Sequence, residues 1–304
     1  MTQFILSRLG QSLMVIVAAL LLVFVVGAII GDPVDLMLPV EASQAVRDNL
    51  RQSLGFDQPL HIQFVDFLIR VSQGFGESIW QSAPALGLVM QRLPYTLYLA
   101  GIALLIAVPA SLALGAWAAI KPKSFADRAI TVFSLGGVSV VDFWLGLMLI
   151  LIFSIHLGWL PSGGYGGGSL AYVILPAVTL AYRSIGRLAQ FTRSALLDEY
   201  AKPYVATLRA KGMSERRIFL HTMRNAAIPV VTLSGDELAS LINGAIVVEA
   251  VFAWPGIGSL LLQAINQRDL FLIEAAVVVM TVIIIVINFL VDLTYTYIDP
   301  KVRP

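Results

Sequence analysis

Residues 271–295 read FLIEAAVVVMTVIIIVINFLVDLTY, an almost unbroken apolar run in which only Glu274 and Asp292 carry a charge. A run of about 20 apolar residues is long enough to cross the hydrocarbon core of a bilayer as a helix. In hydrocarbon a helix is favoured because it satisfies its own backbone N–H and C=O groups. This stretch therefore predicts a transmembrane helix.

Five other apolar blocks precede this one: residues 9–30, 93–120, 129–157, 170–192 and 226–252. The composition agrees, because 58% of the 304 residues are hydrophobic and 13% are charged, whereas about 25% are charged in a soluble domain. Transmembrane strands need only about 10 residues, so blocks of this length favour helices. We predict an all-α integral membrane protein with six transmembrane helices in a single domain, residues 1–304.

The 20 Lys and Arg residues are distributed unevenly between the connections. If the N-terminus is cytoplasmic, 15 of them lie on the cytoplasmic side, and the five outside are Arg47, Arg51, Arg70, Arg92 and Arg268. Cytoplasmic connections of membrane proteins carry an excess of Lys and Arg. We therefore expect a multi-pass protein with both termini in the cytoplasm.

The first outside connection, residues 31–92, is too long to be a turn. Residues 41–54 and 59–71 have helical spacing, and glycine and proline punctuate the stretch between them. We expect a small helical extracytoplasmic insertion after the first transmembrane helix.

The connection between the fourth and fifth spans, residues 193–225, is basic and is expected on the cytoplasmic side. Residues 199–211 predict a helix closed by Gly212, and the hydroxyl of Ser214 is expected to cap a second helix that runs to Arg224. Such a basic corner suits insertion into an acidic or polar groove of a cytoplasmic partner. It is equally consistent with topology control and contact with anionic lipid.

The stretch YVATLRAKGMSERR, residues 204–217, followed by RNAAIP, residues 224–229, closely resembles the cytoplasmic coupling loop of ABC-importer permeases of the dipeptide, oligopeptide and nickel family. Supporting motifs are GDP at 31–33, LGFDQPL at 54–60, LPA at 175–177, EAVFAWPGIG at 249–258 and DPKVR at 299–303. Two departures from the general importer consensus occur. Ala206, Thr207 and Leu208 stand where it begins Glu-Ala-Ala, and residues 212–229 span about one helical turn more. Both departures are shared by peptide-type permeases.

The resemblance implies the type I fold of ABC-importer permeases, in the bacterial inner membrane. It also implies a second homologous permease as the other half of a heterodimer, two cytoplasmic ATPases, an extracytoplasmic substrate-binding protein and surrounding lipid. The residues that it places at the ATPase contact are Ala206, Arg209, Ala210, Lys211, Gly212, Met213, Ser214, Glu215, Arg216 and Arg217.

The cargo that the resemblance implies is a di- or oligopeptide. The alternative is nickel, another chelated metal or a small cationic solute, because GYGG at 164–167 and FAWPG at 252–256 also resemble nickel-type permeases. A secondary transporter would show inverted repeats with broken helices, and a channel would show a repeated pore motif. Neither pattern is present in the sequence.

The residue types for catalysis or resident cofactors are missing or scattered. The chain has no cysteine, and no segment matches the phosphate-binding Gly-x-x-x-x-Gly-Lys-Ser/Thr motif. His61, His156 and His221 lie in different segments with no shared ligand spacing. We expect no catalytic residue, no metal site, no bound cofactor and no nucleic-acid partner, with ATP and magnesium used by the partner ATPases.

Asp236 and Glu237 are adjacent carboxylates inside the fifth predicted span. Ionisable residues within a span are expensive and mark functional paths. One hypothesis is that both line an aqueous path and attract a cationic or amine-bearing solute. The alternative is a structural pairing with Arg183 or Arg187.

Overall fold

The computed structural model of this chain describes residues 2–30, 38, 43–53 and 55–298. In chain order its α-helices are α1 (Thr2–Ile30), α2 (Gln44–Ser53), α3 (Leu60–Ser72), α4 (Ala85–Ile120), α5 (Phe125–Ser139), α6 (Asp142–Leu149), α7 (Leu170–Tyr200), α8 (Pro203–Ala210), α9 (Glu215–Val251), α10 (Ile257–Gln267) and α11 (Leu270–Ile298). A π-helical segment, Ile150–His156, follows α6 directly. No strand occurs in these ranges, so the predicted all-α class is confirmed.

Four helices of this part of the chain are long and apolar enough to cross a membrane: α4, α9, a stretch of α1 and a stretch of α11. The bent pair α5–α6 adds a fifth if it is one broken span. The fourth predicted span, residues 170–192, lies in α7, which is helical as expected but carries Arg183 and Arg187 and does not reach the same hydropathy. The count of six spans stays a prediction.

The described residues divide into two compact units. One contains residues within 1–95 and 256–289, and the other contains residues within 96–255 and 290–298. The single domain expected from the sequence therefore stays a prediction. The motifs at 31–33 and 299–303, and residues 41, 42 and 54 of the first insertion helix, lie outside the described residues.

In the first unit, the insertion helix α3 packs on α1 through aromatic rings. The ring centroid of Phe24 lies 5.1 Å from that of Phe64 and 5.8 Å from that of Phe67, which is fully buried. Both helices predicted for the insertion are present as α2 and α3.

The same unit joins α3 to α11 through a charged contact. A guanidinium nitrogen of Arg70 lies 4.0 Å from Oε1 of the buried Glu274, and the guanidinium carbon lies 5.6 Å from the centre of the Phe271 ring. The aromatic face and the carboxylate both favour a cation at this position. Arg70 thereby links the insertion helix α3 to α11.

In the second unit, the predicted span 129–157 is not one helix. Helices α5 and α6 meet at 110° across Val140 and Val141, both of which have extended backbone angles. Two successive β-branched residues are well suited to that conformation, and Asp142 then opens α6 with a negative charge in its first turn. The prediction of an uninterrupted helix was wrong here.

Helices α5 and α7 approach closely because glycines face each other. A Cβ added at Gly186 would lie 2.4 Å from the carbonyl oxygen of Ser134, and one at Gly137 would lie 2.7 Å from that of Tyr182. Small residues permit this close backbone approach between membrane helices. Near the cytoplasmic end predicted for both helices, Nε and Nη2 of Arg193 donate to the buried carboxylate of Asp127 over 2.6 and 2.9 Å.

We predict that Gly186→Ala destabilises the second unit, because the added methyl must push the α5 backbone away. The expected cost is that of overpacking, about 1–3 kcal/mol, and the measurement is the thermal melting temperature of the detergent-purified protein. Gly101→Ala is the matched control, since nothing lies within 4 Å of a Cβ built there. Equal melting temperatures for the two variants would contradict the close approach.

Candidate functional site

The predicted coupling loop, residues 193–225, contains the end of α7, all of α8 and the start of α9. The single helix predicted over residues 199–211 is wrong, because α7 ends at Tyr200 and α8 begins at Pro203. Proline is favoured at the first position of a helix, where its missing N–H is not needed, and it disfavours helix immediately before it. Pro203 thus explains why the chain leaves the helical conformation between α7 and α8.

The glycine closure predicted at Gly212 is confirmed. Gly212 has a φ of 73°, its N–H donates to the carbonyl of Arg209 over 2.9 Å, and the N–H of Met213 donates to the carbonyl of Leu208 over 3.1 Å. These two bonds form a Schellman motif, which satisfies carbonyls at the end of α8. Only glycine adopts such a φ freely.

The start of α9 differs from the prediction. Ser214 occupies the N-cap position, but its hydroxyl makes no capping hydrogen bond, so the predicted hydroxyl cap is wrong. Instead, Nε and Nη2 of Arg209 donate to the two carboxylate oxygens of Glu215 over 2.9 and 3.2 Å. A bidentate pair of this kind fixes orientation as well as distance. It ties α8 to α9 across the corner.

The ten residues predicted at the ATPase contact lie on an exposed segment, residues 206–217, which we call the corner. Nine of the ten are exposed and Met213 is half-buried. Val205 and Ile218, which flank the corner, are buried. The corner therefore rests on two apolar anchors and presents its charged side chains outward, as a contact surface requires.

A half-buried carboxylate joins the three helices of the coupling loop. Glu199 accepts a hydrogen bond from the Tyr204 hydroxyl over 2.7 Å and one from the ammonium group of Lys202. Asn225 of α9 donates to the same tyrosine oxygen over 3.4 Å. Burial acts to raise the pKa of Glu199, but the hydrogen bonds from Lys202 and Tyr204 outweigh it, and the pKa lies below its ordinary value.

The pH dependence of this contact follows from the direction of that shift. A carboxylate whose pKa is lower in the folded than in the unfolded chain stabilises the fold above the unfolded pKa, about 4.3 for glutamate. The stabilisation is present at neutral pH and is lost as the pH falls through the folded value. The Glu199 contact thus holds the loop at neutral pH.

A cavity of about 630 Å³ opens where α5 breaks into α6. It lies within the second unit and is closed by one face of α7 and one face of α9. Its lining residues of chemical interest are Asp142, Arg183, Ser184, Arg187, Glu237 and Asn243. Backbone that leaves the helical conformation at membrane depth is tolerated where it is buried in protein or lines a water-filled cavity.

Glu237 forms the buried polar wall of the cavity. Its side chain is 3% exposed, its Oε2 accepts a hydrogen bond from Ser184 over 2.7 Å, and Nη1 of Arg187 lies 3.0 Å from its Oε1. The Arg187 contact has the distance of an ion pair, but not the alignment of a hydrogen bond. The pairing with Arg187 weighed for the two adjacent acids is therefore observed for Glu237.

Asp236 lies on another side of the same helix. It is exposed and does not line the cavity. Successive residues of an α-helix point about 100° apart, so neighbours in sequence do not share a face. Of the two carboxylates predicted to line a path, the structure brings only Glu237 to the cavity.

Arg183 and Arg187 were expected here only as alternative partners of the two adjacent acids, and Asp142 was not predicted to lie at this site. The sequence assigned both arginines to the cytoplasmic charge excess, although they are spaced i, i+4 near the middle of α7. That spacing puts them on one helix face. Two arginines on one face of a predicted span are the signal that could have identified the cavity, because charges inside a span mark functional sites.

Metal-binding chemistry is not assembled in the described part of the chain. Within residues 2–30, 38, 43–53 and 55–298, no group of three or more histidine and acidic side chains is close enough to hold a metal ion. The cavity residues are instead of both charge signs, which suits a dipolar organic solute.

Long apolar helices, a bent helix pair and a polar cavity define a helical membrane protein with a polar chamber between its helices. Comparison with known proteins sharpens this class. Residues 111–304 match the model of the family described as binding-protein-dependent transport system inner membrane component, and residues 1–100 match that of its N-terminal region. The chain belongs to this family.

Full-length relatives agree with the family. The chain is 36% identical over 315 residues to the oligopeptide transport system permease protein AppB of Bacillus subtilis (strain 168), with 100% of both chains covered. It is 39% identical over 306 residues to the glutathione transport system permease protein GsiC of Salmonella choleraesuis (strain SC-B67), with 100% of this chain and 99% of the relative covered.

Family membership settles several expectations. The protein is the inner-membrane permease subunit of an ABC importer, and it works with partner ATPases, a substrate-binding protein and a second permease. ATP hydrolysis belongs to the ATPases, so this chain is not an enzyme. The predicted multi-pass membrane location is confirmed.

We predict that Glu199→Gln loosens the coupling loop, because the neutral amide loses the charge-assisted bonds to Lys202 and Tyr204. A loss of about 1–2 kcal/mol is expected, which corresponds to about 5- to 30-fold faster hydrogen exchange for amides of α8. Asp198→Asn removes the same charge from an exposed neighbour and should leave exchange unchanged. Similar exchange rates in both variants would contradict the role of Glu199.

Proposed function

We propose that this chain forms one half of the path by which an ABC importer carries di- and oligopeptides into the cell. The observation that carries the proposal is the cavity at the break between α5 and α6. The extended backbone at Val140 and Val141 interrupts the regular helical hydrogen bonding and needs protein or water around it, and the cavity charges face the same space. An aqueous chamber inside a span is what a permease for polar cargo requires.

Peptide cargo is supported by the names of relatives. AppB is named for oligopeptide transport and GsiC for glutathione transport, and glutathione is itself a small peptide. The alternative cargo, nickel or another chelated metal or cation, is not favoured by these names. The cavity volume of about 630 Å³ also falls within the range of about 300–1,000 Å³ that holds small organic ligands.

The proposed assembly pairs this chain with the second permease as a heterodimer and adds two ATPases. In this arrangement the corner, residues 206–217, inserts into a groove of one ATPase, supported by its exposure and by the rigid closure at Gly212 and Arg209–Glu215. The loop and both termini are then cytoplasmic, as the distribution of Lys and Arg favours. ATP and magnesium bind the ATPases, and this chain uses no cofactor of its own.

The cargo proposal is tested by reconstituting this permease with its second permease, ATPases and binding protein in liposomes. ATP-dependent uptake of labelled dipeptides and oligopeptides is compared with uptake of chelated nickel. Accumulation of peptide above the level of an ATP-free control is expected. Uptake of nickel without peptide would replace the proposed cargo.

We predict that inserting two glycines after Gly212 uncouples ATP hydrolysis from transport. The insertion breaks the Schellman closure and separates Arg209 from Glu215, so motion of the ATPase no longer moves α9 as a rigid body. ATPase activity should persist while peptide uptake per ATP falls at least about tenfold, equivalent to about 1.4 kcal/mol of lost coupling.

The matched control inserts two glycines after Gly167, in the connection that contains GYGG at 164–167. Nothing lies within 4 Å of a Cβ built at Gly167, so the connection has room for added chain. Its complex should retain coupled transport. If the Gly212 insertion also retained full coupling, the rigid-corner mechanism would be wrong.

A further inference from the structure

The two arginines of the cavity differ in what they contact. Arg187 lies 3.0 Å from the carboxylate of Glu237. Arg183, one turn earlier on the same face of α7, has no carboxylate within 4.0 Å among the described residues. The guanidinium of Arg187 therefore already has a carboxylate partner within the protein. The guanidinium of Arg183 faces the cavity, where it can donate hydrogen bonds to a ligand.

Besides the Glu237–Arg187 pair, the cavity carries one positive and one negative side chain. The Glu237–Arg187 pair is internally neutral, and the remaining charges are Arg183 and Asp142, which interact electrostatically across the cavity without forming an ion pair. Asp142 is half-buried at the start of α6, whereas Arg183 is exposed on α7. The chamber thus presents a cation on one wall and an anion on another.

The position of Arg183 makes water or a ligand necessary. It lies 13 residues into the 31-residue helix α7, or about 20 Å from its start. In the predicted span 170–192, a charge at this position is retained where it faces an aqueous cavity or binds a partner. A planar guanidinium with free donors matches a carboxylate bidentately.

We infer that Arg183 binds the free C-terminal carboxylate of a peptide in the cavity, while Asp142 faces its ammonium end. This inference rests on the proposed function and adds a specificity determinant within the permease itself. Arg187 and Glu237 contact each other and leave no net charge on their part of the wall. The cavity thereby favours zwitterionic peptides over peptides blocked at either end.

The test compares initial ATP-dependent uptake of one labelled dipeptide as the free acid and as the C-terminal amide. The reconstituted complex and its binding protein are the same in all assays, so a change in the free-acid to amide ratio reports on the permease. Arg183→Gln should lower free-acid uptake by about 10- to 100-fold and change amide uptake less than about twofold. Arg183→Lys, which keeps the charge, should retain most of the preference.

The matched control is the double variant Arg187→Gln with Glu237→Gln, which removes the internal pair from the same cavity. Its free-acid to amide ratio should equal that of the wild type. A ratio unchanged by Arg183→Gln, or equal losses for both peptides, would overturn the inference. If Arg183→Gln prevents assembly, Asp142→Asn decides, since it should lower uptake of the free amine relative to the N-acetylated peptide, and an unchanged ratio overturns the inference.

Failure of the proposed function gives a different result. In that case the wild-type complex accumulates neither the free acid nor the amide, and the inference fails with it. Wild-type uptake with no dependence on Arg183 or Asp142 leaves the importer intact and rejects only the carboxylate site.

Discussion

An unpaired backbone N–H or C=O group in hydrocarbon costs several kcal/mol, and this cost organises the molecule. It explains why the apolar blocks are helices rather than irregular chain. It also explains why the sharp break between α5 and α6, at Val140 and Val141, coincides with a polar cavity. The break opens the space that the cavity occupies, and the cavity surrounds the non-helical backbone of Val140 and Val141 with polar groups and room for water.

Charged side chains in the apolar helices follow the same rule. Glu237 is paired with Ser184 and Arg187, and Asp127 accepts two bonds from Arg193. A buried ion pair is weak evidence for stability, because desolvation offsets much of the attraction, but removal of one partner is costly. These pairs therefore specify how α7 lies against α5 and α9 more than they add stability.

The helices themselves could be predicted from the sequence, because long apolar runs have few alternatives in a membrane. The closure at Gly212 could also be predicted, since a glycine between two helical segments signals a left-handed residue. The bend at Val140 could not, because hydropathy averages over two extended valines that are as apolar as their helical neighbours. Nor could sequence adjacency show that Asp236 and Glu237 face different surroundings.

Helix α9 runs without interruption from Glu215 at the corner to Val251, and Glu237 lies about 33 Å along it at 1.5 Å per residue. The corner and the cavity wall therefore belong to one helix, in which Pro229 lacks the backbone N–H that would bond one turn back. Coupling free energy between two binding sites is reciprocal. On the proposed function, ATPase binding at the corner changes the affinity of the chamber for peptide by a certain factor. A peptide bound in the chamber then changes the affinity of the corner for the ATPase by that same factor.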